Sequence, residues 1–260
     1  MIPFRRFRSK SQTPSEGEEV QVGDDVLVVV DQAVNPYLVC FHQPTSYRAE
    51  QYRALRNQLL AMNPDGAPKS LVVTSAIKGE GKSIAAINLA LSFAELERHA
   101  VVLVDADLRA PSVESYLNLN PRPGLSDVLL DRVRLEDAVR DAGVRNLSVL
   151  GAGDRLMAPS ELLTTPRVDA LIARLKETYR YVVFDTPPVL PATDASVLAA
   201  RADGTLLTVR LEHSPKASTR EAIRNLQDLG ANVLGVFVTE VRGSDPDRDP
   251  RFSYDVREEL

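Results

Sequence analysis

Residues 75–83, SAIKGEGKS, contain two glycines, the second within a terminal Gly-Lys-Ser, and this spacing is typical of a phosphate-binding loop. The glycines allow the backbone to curl so that its N–H groups point at an anion, and the helix that follows adds unpaired N–H groups and a positive dipole end. In such a loop Lys82 contacts the terminal phosphates and the Ser83 hydroxyl ligates Mg²⁺. The full pattern begins with glycine, whereas Ala76 occupies that place here. The predicted nucleotide-binding residues are Ala76, Ile77, Lys78, Gly79, Glu80, Gly81, Lys82 and Ser83.

Three aspartates come directly after apolar runs of the strand type. Asp105 follows VVLV, Asp107 comes two residues later, and Asp185 follows YVVF. Ligands of an open parallel sheet bind at the carboxyl ends of its strands, so we expect Ser83, Asp105 and Asp185 to ligate Mg²⁺ beside the loop. Phosphoryl transfer also needs a group that orients or deprotonates the nucleophile, and the predicted catalytic residues are Lys82, Asp105 and Asp107. For any one aspartate taken alone, a strand-end turn or a helix cap is the alternative interpretation.

The elements that must position these residues alternate along the chain. Continuous apolar strands alternating with amphipathic helices predict an α/β fold with a mostly parallel, doubly wound sheet covered by helices on both faces. The predicted strands are Leu71–Ser75, Val101–Asp105, Leu147–Leu150, Tyr181–Asp185, Thr205–Val209 and Val233–Val238. The predicted helices are Ser46–Met62, Lys82–Leu96, Ser160–Leu175, Ala192–Ala200 and Lys216–Leu229. We expect a largely extended or disordered arm over 1–45, one domain over 46–242 and a surface tail over 243–260.

Composition excludes several classes of protein. The formal net charge of -5 gives no global attraction to nucleic acid, so no nucleic-acid partner is expected. Cys40 is the only cysteine, which rules out an internal disulfide and fits a reducing cytosol. No uncharged apolar run approaches the ~20 residues that span a bilayer. These features predict a cytoplasmic protein.

Three ordered segments resemble the motifs of the bacterial tyrosine kinases. They are TSAIKGEGKS, then VVLVDADLRAPSV with its Asp-x-Asp-x-Arg-x-Pro pattern, and YVVFDTPPVLPATDA with its Asp-x-Pro-Pro pattern. The resemblance covers about residues 46–240. It implies a P-loop NTPase fold with a deviant Walker A motif, related to the partitioning ATPases, and ATP and Mg²⁺ as cofactors. It also implies transfer of the ATP γ-phosphate to tyrosine, in an enzyme that regulates capsule and exopolysaccharide synthesis and export, with Asp105 or Asp107 as the base.

The resemblance also implies an assembly. Glu50, Arg53 and Arg56 satisfy the Glu-x-x-Arg-x-x-Arg pattern through which family members form homo-oligomeric rings. On a helix these positions spread over roughly 120° of arc, which is one broad face. The alternative is a solvated face with a local Glu50–Arg53 pair at i,i+3.

The same resemblance implies a tyrosine that is phosphorylated, a transmembrane adaptor and a phosphatase. Family members usually end in a cluster of tyrosines that neighbouring subunits phosphorylate, whereas the tail here offers Tyr254 alone, which is the candidate phosphosite. The transmembrane adaptor fused to many members is absent from the sequence. We therefore expect a separate transmembrane adaptor that recruits the chain to the inner face of the cell membrane, and a phosphatase that reverses the modification.

Two other functions compete with the kinase. A positioning ATPase of the partitioning type carries a signature lysine at the second position of its phosphate loop, but that position is Ile77 here and Lys78 follows one place later. The second alternative is a nucleotide-gated assembly factor that controls a polysaccharide exporter without phosphorylating it. The single tail tyrosine is the feature that favours this alternative.

Overall fold

The computed structural model describes residues 20–21, 27–28, 33–156 and 159–240, and the six predicted strands occur there in the predicted order. The strands are β1 (Val20–Gln21), β2 (Leu27–Val28), β3 (Lys69–Ser75), β4 (Val101–Asp105), β5 (Arg140–Asp141), β6 (Leu147–Leu150), β7 (Tyr181–Asp185), β8 (Gly204–Arg210) and β9 (Val233–Thr239). The helices are α1 (Val39–His42), α2 (Tyr47–Ala61), α3 (Lys82–Ala94), α4 (Val113–Tyr116), α5 (Leu125–Leu129), α6 (Leu135–Ala138), α7 (Pro159–Leu163), α8 (Arg167–Thr178), α9 (Asp194–Ala199) and α10 (Lys216–Asp228).

Seven strands form one sheet in the order β5-β6-β4-β7-β3-β8-β9, and β1 pairs separately with β2. All neighbours in the large sheet are parallel except β5 and β6 at one edge. Because β7 lies between β4 and β3, the carboxyl ends of these three strands lie side by side. The loop that leaves β3 therefore starts next to Asp105 and Asp185, which are register partners on β4 and β7.

The two faces of the sheet carry separate cores, since successive side chains of a strand point to opposite faces. On one face Leu71, Val73 and Tyr181 pack with α1, α2 and α3, and Phe93 of α3 stacks on the Tyr181 ring at 4.0 Å. On the other face Val72 and Phe184 pack with α5, α8, α9 and α10. Helices on both faces explain why the central strands are apolar at every position rather than at alternate positions.

Several local details differ from the sequence-based expectation. The helix predicted over Ser160–Leu175 is two helices, α7 and α8, because Pro166 lacks an N–H donor and instead stands at the N-cap of α8. Strand β5 and the short helices α1, α4, α5 and α6 were not predicted, because elements of two to five residues carry no measurable periodicity. Within the predicted arm 1–45, residues 33–45 are packed against α3: Leu38 is fully buried and the Cys40 N–H donates to Asn88 Oδ1. The tail over 243–260, with Tyr254, lies outside the described residues.

Candidate active site

The phosphate-loop sequence lies between β3 and α3, as predicted. Gly79 and Gly81 have φ values of 87° and 82°, a left-handed conformation that favours glycine, and Gly81 is the N-cap of α3. A β-carbon on Gly81 would lie 3.5 Å from the Thr239 side chain. Lys78 and Gly79 are exposed, so the outer part of the loop faces solvent. The loop backbone is therefore curled at the N-terminus of a helix, which is the geometry that binds phosphate.

Lys82, the first residue of α3, reaches the aspartates across the loop. Its Nζ lies 2.8 Å from Asp107 Oδ2, 3.6 Å from Asp185 Oδ1 and 3.1 Å from Ser83 Oγ. Although burial opposes the charged form, Asp185 and Asp107 raise the pKa of Lys82. Without nucleotide, Lys82 is thus a largely buried ammonium neutralised by two carboxylates.

Asp105 and Asp107 occupy different surroundings although they are two residues apart. Asp105 is fully buried: its Oδ2 accepts the N–H groups of Ser112 at 2.9 Å and Val113 at 3.0 Å, and its Oδ1 accepts the Asp107 N–H at 3.2 Å. Burial, followed by the charge of Asp185, raises the pKa of Asp105. Asp107 accepts the Ala110 N–H through Oδ1 and Lys82 through Oδ2. Asp105 therefore braces the turn after β4, and Asp107 is the aspartate that contacts Lys82.

Asp185, at the end of β7, is fully buried, and neither carboxylate oxygen has a hydrogen-bond partner within the described residues. Burial raises its pKa, while Lys82 and Ser83 act in the opposite direction. A buried carboxylate without donors is costly unless a cation binds it. The described residues hold no cluster of three His, Cys, Asp or Glu side chains that could bind a metal alone. The arrangement thus fits Mg²⁺, which uses one or two protein oxygens together with substrate phosphates and waters.

A charged cluster beside the site was not identified from the sequence. Arg109 Nε lies 2.8 Å from Asp194 Oδ2, and Arg109 also donates to Ser160 Oγ at 2.8 Å. Asp194 is fully buried and accepts the Ser160 hydroxyl. Arg109 and Asp194 each lie in one of the three motif segments. The sequence therefore marks both residues but does not indicate that they are in contact. The cluster ties the turn after β4 to α7 and α9.

The residues predicted to form an oligomer interface lie on α2 and make contacts within the chain. Arg53 forms two hydrogen bonds to Glu95 beyond the end of α3, at 2.8 and 2.7 Å, and a third to Glu50. Arg56 is buried and donates to Ser92 O at 2.7 Å and to Glu95 at 3.0 Å. Of the three predicted residues, Glu50 has the most exposed side chain, at 51%. The broad solvent-facing surface considered from the sequence is therefore partly an internal salt-bridge network.

The parallel sheet, the curled glycine loop and the converging lysine and aspartates define an α/β P-loop nucleotide-binding protein. A family model described as an AAA domain matches residues 69–232. The tyrosine-protein kinase YwqD of Bacillus subtilis is 35% identical over 201 residues, which cover 77% of this chain and 84% of that protein. The putative tyrosine-protein kinase CapB of Staphylococcus aureus is 30% identical and is covered over 87% of its length. The chain belongs to the bacterial tyrosine-protein kinases, as the sequence motifs indicated.

Solved structures agree with this assignment. The kinase domain of the Escherichia coli tyrosine kinase ETK matches with a TM-score of 0.75 and 26% identity over 79% of this chain and 80% of that chain. The chimerical protein CapA2B2 matches with a TM-score of 0.73 and 31% identity over 79% and 91% of the two chains. The septum site-determining protein MinD of Pyrococcus horikoshii, at 23% identity and a TM-score of 0.58, shares the fold. The predicted fold class and the predicted enzyme class, a protein-tyrosine kinase, are confirmed.

Some relatives are longer than this chain. The putative tyrosine-protein kinase EpsB of Ralstonia nicotianae is 36% identical over 200 residues, but these cover 26% of its length. Within the part of this chain that the structure describes, no helix has the length and apolar character of a membrane span.

Proposed function

We propose that the chain transfers the γ-phosphate of Mg²⁺–ATP to a tyrosine hydroxyl through Lys82, Asp107, Asp185 and Ser83. The observation that carries this proposal is the convergence of a buried lysine and two buried carboxylates on a phosphate-loop helix, and the carboxylate of Asp185 has no hydrogen-bond donor within the described residues. A purely structural salt bridge would supply hydrogen bonds to both carboxylates, whereas Asp185 has only the longer 3.6 Å ion pair with Lys82, which Asp107 shares.

Ser83 and Asp185 would hold Mg²⁺, with Asp105 behind them at the paired position on β4. The metal supplies charge neutralisation at the β- and γ-phosphates when it is bound. Asp105 already accepts three backbone N–H groups, so its contribution is to hold the turn that carries Asp107. Lys82 would move from Asp107 to the phosphate oxygens and stabilise the charge that develops during transfer.

Movement of Lys82 away from Asp107 would change whether Asp107 can act as the base for the tyrosine hydroxyl. While Lys82 donates to Asp107 Oδ2 at 2.8 Å, that oxygen is occupied by the lysine hydrogen bond. Phosphate oxygens that compete for Lys82 would free Oδ2 to accept the phenolic proton. The tyrosine oxygen then bonds to the γ-phosphorus, the bond from that phosphorus to the bridging oxygen of ADP breaks, and the proton resides on Asp107. Of the two candidates left open by the sequence, we therefore assign the base to Asp107.

The acceptor, assembly and cellular setting of the enzyme are part of the same proposal. We infer that Tyr254 of one subunit reaches the site of a neighbour within a ring, and that a phosphatase reverses the modification. A separate transmembrane adaptor would recruit the cytoplasmic chain to the inner face of the cell membrane, where it would regulate exopolysaccharide synthesis and export. The names of the related kinases and the Glu50-Arg53-Arg56 pattern support this setting.

The test is mass spectrometry of the chain after incubation with Mg²⁺–ATP, compared with Tyr254→Phe and Asp107→Asn. We expect phosphotyrosine at position 254 in the wild type, none there in the phenylalanine variant, and a loss of roughly 10²–10⁴-fold in rate for the asparagine variant. Mixing the Asp107→Asn chain with an excess of Tyr254→Phe chain should restore phosphate on the former if transfer occurs between subunits.

Phosphate at unchanged level in the Tyr254→Phe variant would refute the acceptor assignment. Equal rates for Asp107→Asn and wild type would refute the base assignment. Nucleotide binding with no phosphotyrosine on the chain or on a co-purified adaptor would favour the assembly factor, the alternative that the single tail tyrosine supports.

A further inference from the structure

Glu80 is the one acidic residue in the phosphate loop, and its side chain is fully buried. A carboxylate at this place is unexpected, because it stands beside a site that must bind several negative phosphate charges. Burial of a charge is expensive unless hydrogen bonds or a counter-ion compensate it. The contacts of Glu80 show which of these two applies.

The Glu80 carboxylate is held by hydrogen bonds, and it forms no ion pair with any of the described residues. Its Oε2 accepts the Ile77 N–H at 3.0 Å, within the loop itself. Its Oε1 accepts the hydroxyl of Ser214, which is oriented as a donor because the Arg210 N–H already donates to that oxygen at 2.8 Å. The nearby Arg210 guanidinium binds Glu240 and the Gly79 carbonyl instead.

The backbone of Glu80 makes a second connection. Thr239 Oγ1 donates to the Glu80 carbonyl at 3.0 Å, from the end of β9. One residue of the loop is thus bonded to the loop's own start, to the turn between β8 and α10, and to the end of β9. Ser214 and Thr239 are 134 and 159 residues away in sequence, so the tertiary fold braces the loop at its middle.

We propose that Glu80 is a positioning residue with two opposed effects: its hydrogen bonds hold the phosphate loop in its binding shape, and its negative charge weakens the binding of nucleotide. The hydrogen bonds would raise affinity, because a preformed loop loses less conformational entropy on binding. The charge would lower affinity, because it repels the phosphates through a medium of low dielectric constant. The net result would be a rigid loop that still releases ADP. The inference rests on the proposed nucleotide site but not on transfer to tyrosine.

The two effects can be separated by substitution. In Glu80→Gln the amide oxygen can accept from Ile77, and the amide NH₂ can donate to the second lone pair of Ser214 Oγ once the hydroxyl proton turns away. Both side-chain contacts then survive and the charge is removed. In Glu80→Ala both are lost. Ser214→Ala removes one of the two side-chain bonds and keeps the charge. Glu97→Gln, at an exposed position with 75% of its side chain accessible, is the control for a change of one unit of net charge.

The measurement is the dissociation constant of a fluorescent ADP derivative in the presence of Mg²⁺, together with kcat and KM for ATP. We expect binding about 3- to 10-fold tighter for Glu80→Gln, about 10-fold or more weaker for Glu80→Ala, about 3-fold weaker for Ser214→Ala and unchanged for Glu97→Gln. For Glu80→Gln the KM for ATP should fall, while kcat stays the same or falls if ADP release limits turnover.

Only the order Gln tighter than wild type and Ala weaker than wild type supports the proposal, and any other order overturns it. Thermal unfolding of each variant shows whether it is folded. If Glu80→Ala does not fold, Ser214→Ala takes its place, and equal or tighter binding by Ser214→Ala then refutes the bracing role. Because the readout is ADP binding, the result stands even if the chain phosphorylates no tyrosine.

Discussion

Replacing Asp185 by Asn should stabilise the protein in the absence of Mg²⁺ and nucleotide while abolishing Mg²⁺-dependent turnover. Asp185 is fully buried, its carboxylate oxygens have no hydrogen-bond donor within the described residues, and it is the register partner of Asp105. Asn has nearly the same size, so the substitution removes the charge and leaves the packing. If Asp185 instead stabilised the fold, the same substitution would lower the free energy of unfolding.

The magnitude follows from the charges around Asp185. Neighbouring strands are about 4.8 Å apart, so carboxylates at paired positions repel by about 3 kcal/mol at an effective dielectric constant of about 20. Lys82, 3.6 Å away, attracts Asp185 with about 5 kcal/mol on the same scale. Repulsion from Asp107, which shares Lys82, removes part of this attraction. Desolvation of the carboxylate, several kcal/mol per ion, then remains uncompensated.

Asn is itself a buried polar side chain, so only part of this cost is recovered. We expect Asp185→Asn to raise the free energy of unfolding by about 1–3 kcal/mol, which corresponds to about 3–10 °C in Tm for a domain of this size. The assay is thermal unfolding in chelator, repeated with Mg²⁺ and ATP. Ligands stabilise the wild type through binding, and this additional stabilisation should be largely absent from the variant.

Asp203→Asn is the matched control, because one carboxylate oxygen of Asp203 accepts three hydrogen bonds. Its Oδ2 accepts from Ser70 N and Oγ, both at 2.7 Å, and from Lys176 Nζ at 2.8 Å. We expect this variant to lose about 1–3 kcal/mol. If Asp185→Asn is destabilised in chelator as much as Asp203→Asn is, Asp185 is a structural residue and the reasoning about a metal ligand without hydrogen-bond donors is wrong.

Three further predictions follow from the same contacts. Lys82→Met should lower turnover by at least ~10³-fold and destabilise the unliganded protein by about 3 kcal/mol, because buried carboxylates lose their counter-charge. A phosphorylation assay measures the loss of turnover, and urea unfolding measures the loss of stability. Arg56→Ala should cost about 2–3 kcal/mol in urea unfolding, since it removes a buried side chain together with its hydrogen bonds to the Ser92 carbonyl and to Glu95. Glu50→Arg should instead leave the monomer stable and reduce the size of any ring in sedimentation, and a ring unaffected by Glu50→Arg would exclude this face as the interface. Burial opposes ionisation of Asp203, but Lys176 and Ser70 outweigh this effect and lower the pKa of its carboxyl group. The stabilisation by the ionised Asp203 is therefore present above about pH 4 and is lost as the pH falls through the lower folded-state pKa. The difference in unfolding free energy between wild type and Asp203→Asn should shrink below about pH 4.

The sequence by itself determined the sheet, the phosphate loop and the family. Apolar runs predict the six main strands because a strand covered on both faces must be apolar throughout. Glycines at 79 and 81 predict the curled loop, because few other residues adopt positive φ without strain. The sequence alone places Asp105 and Asp185 at the same edge of the sheet, because each follows a predicted strand and parallel strands have their carboxyl ends at one edge.

Only the tertiary structure decided which side chains of that edge are partners. Lys82 pairs with Asp107 while Asp185 has no donor, and Glu80 is bound by Ser214, 134 residues later. Arg56, on the helix face considered as an interface, is buried against residues beyond its own helix. These contacts depend on the order of strands and on how helices pack across the sheet. Local periodicity reflects the burial of one element and contains no information about the polar atom that a distant element brings within 3 Å of it.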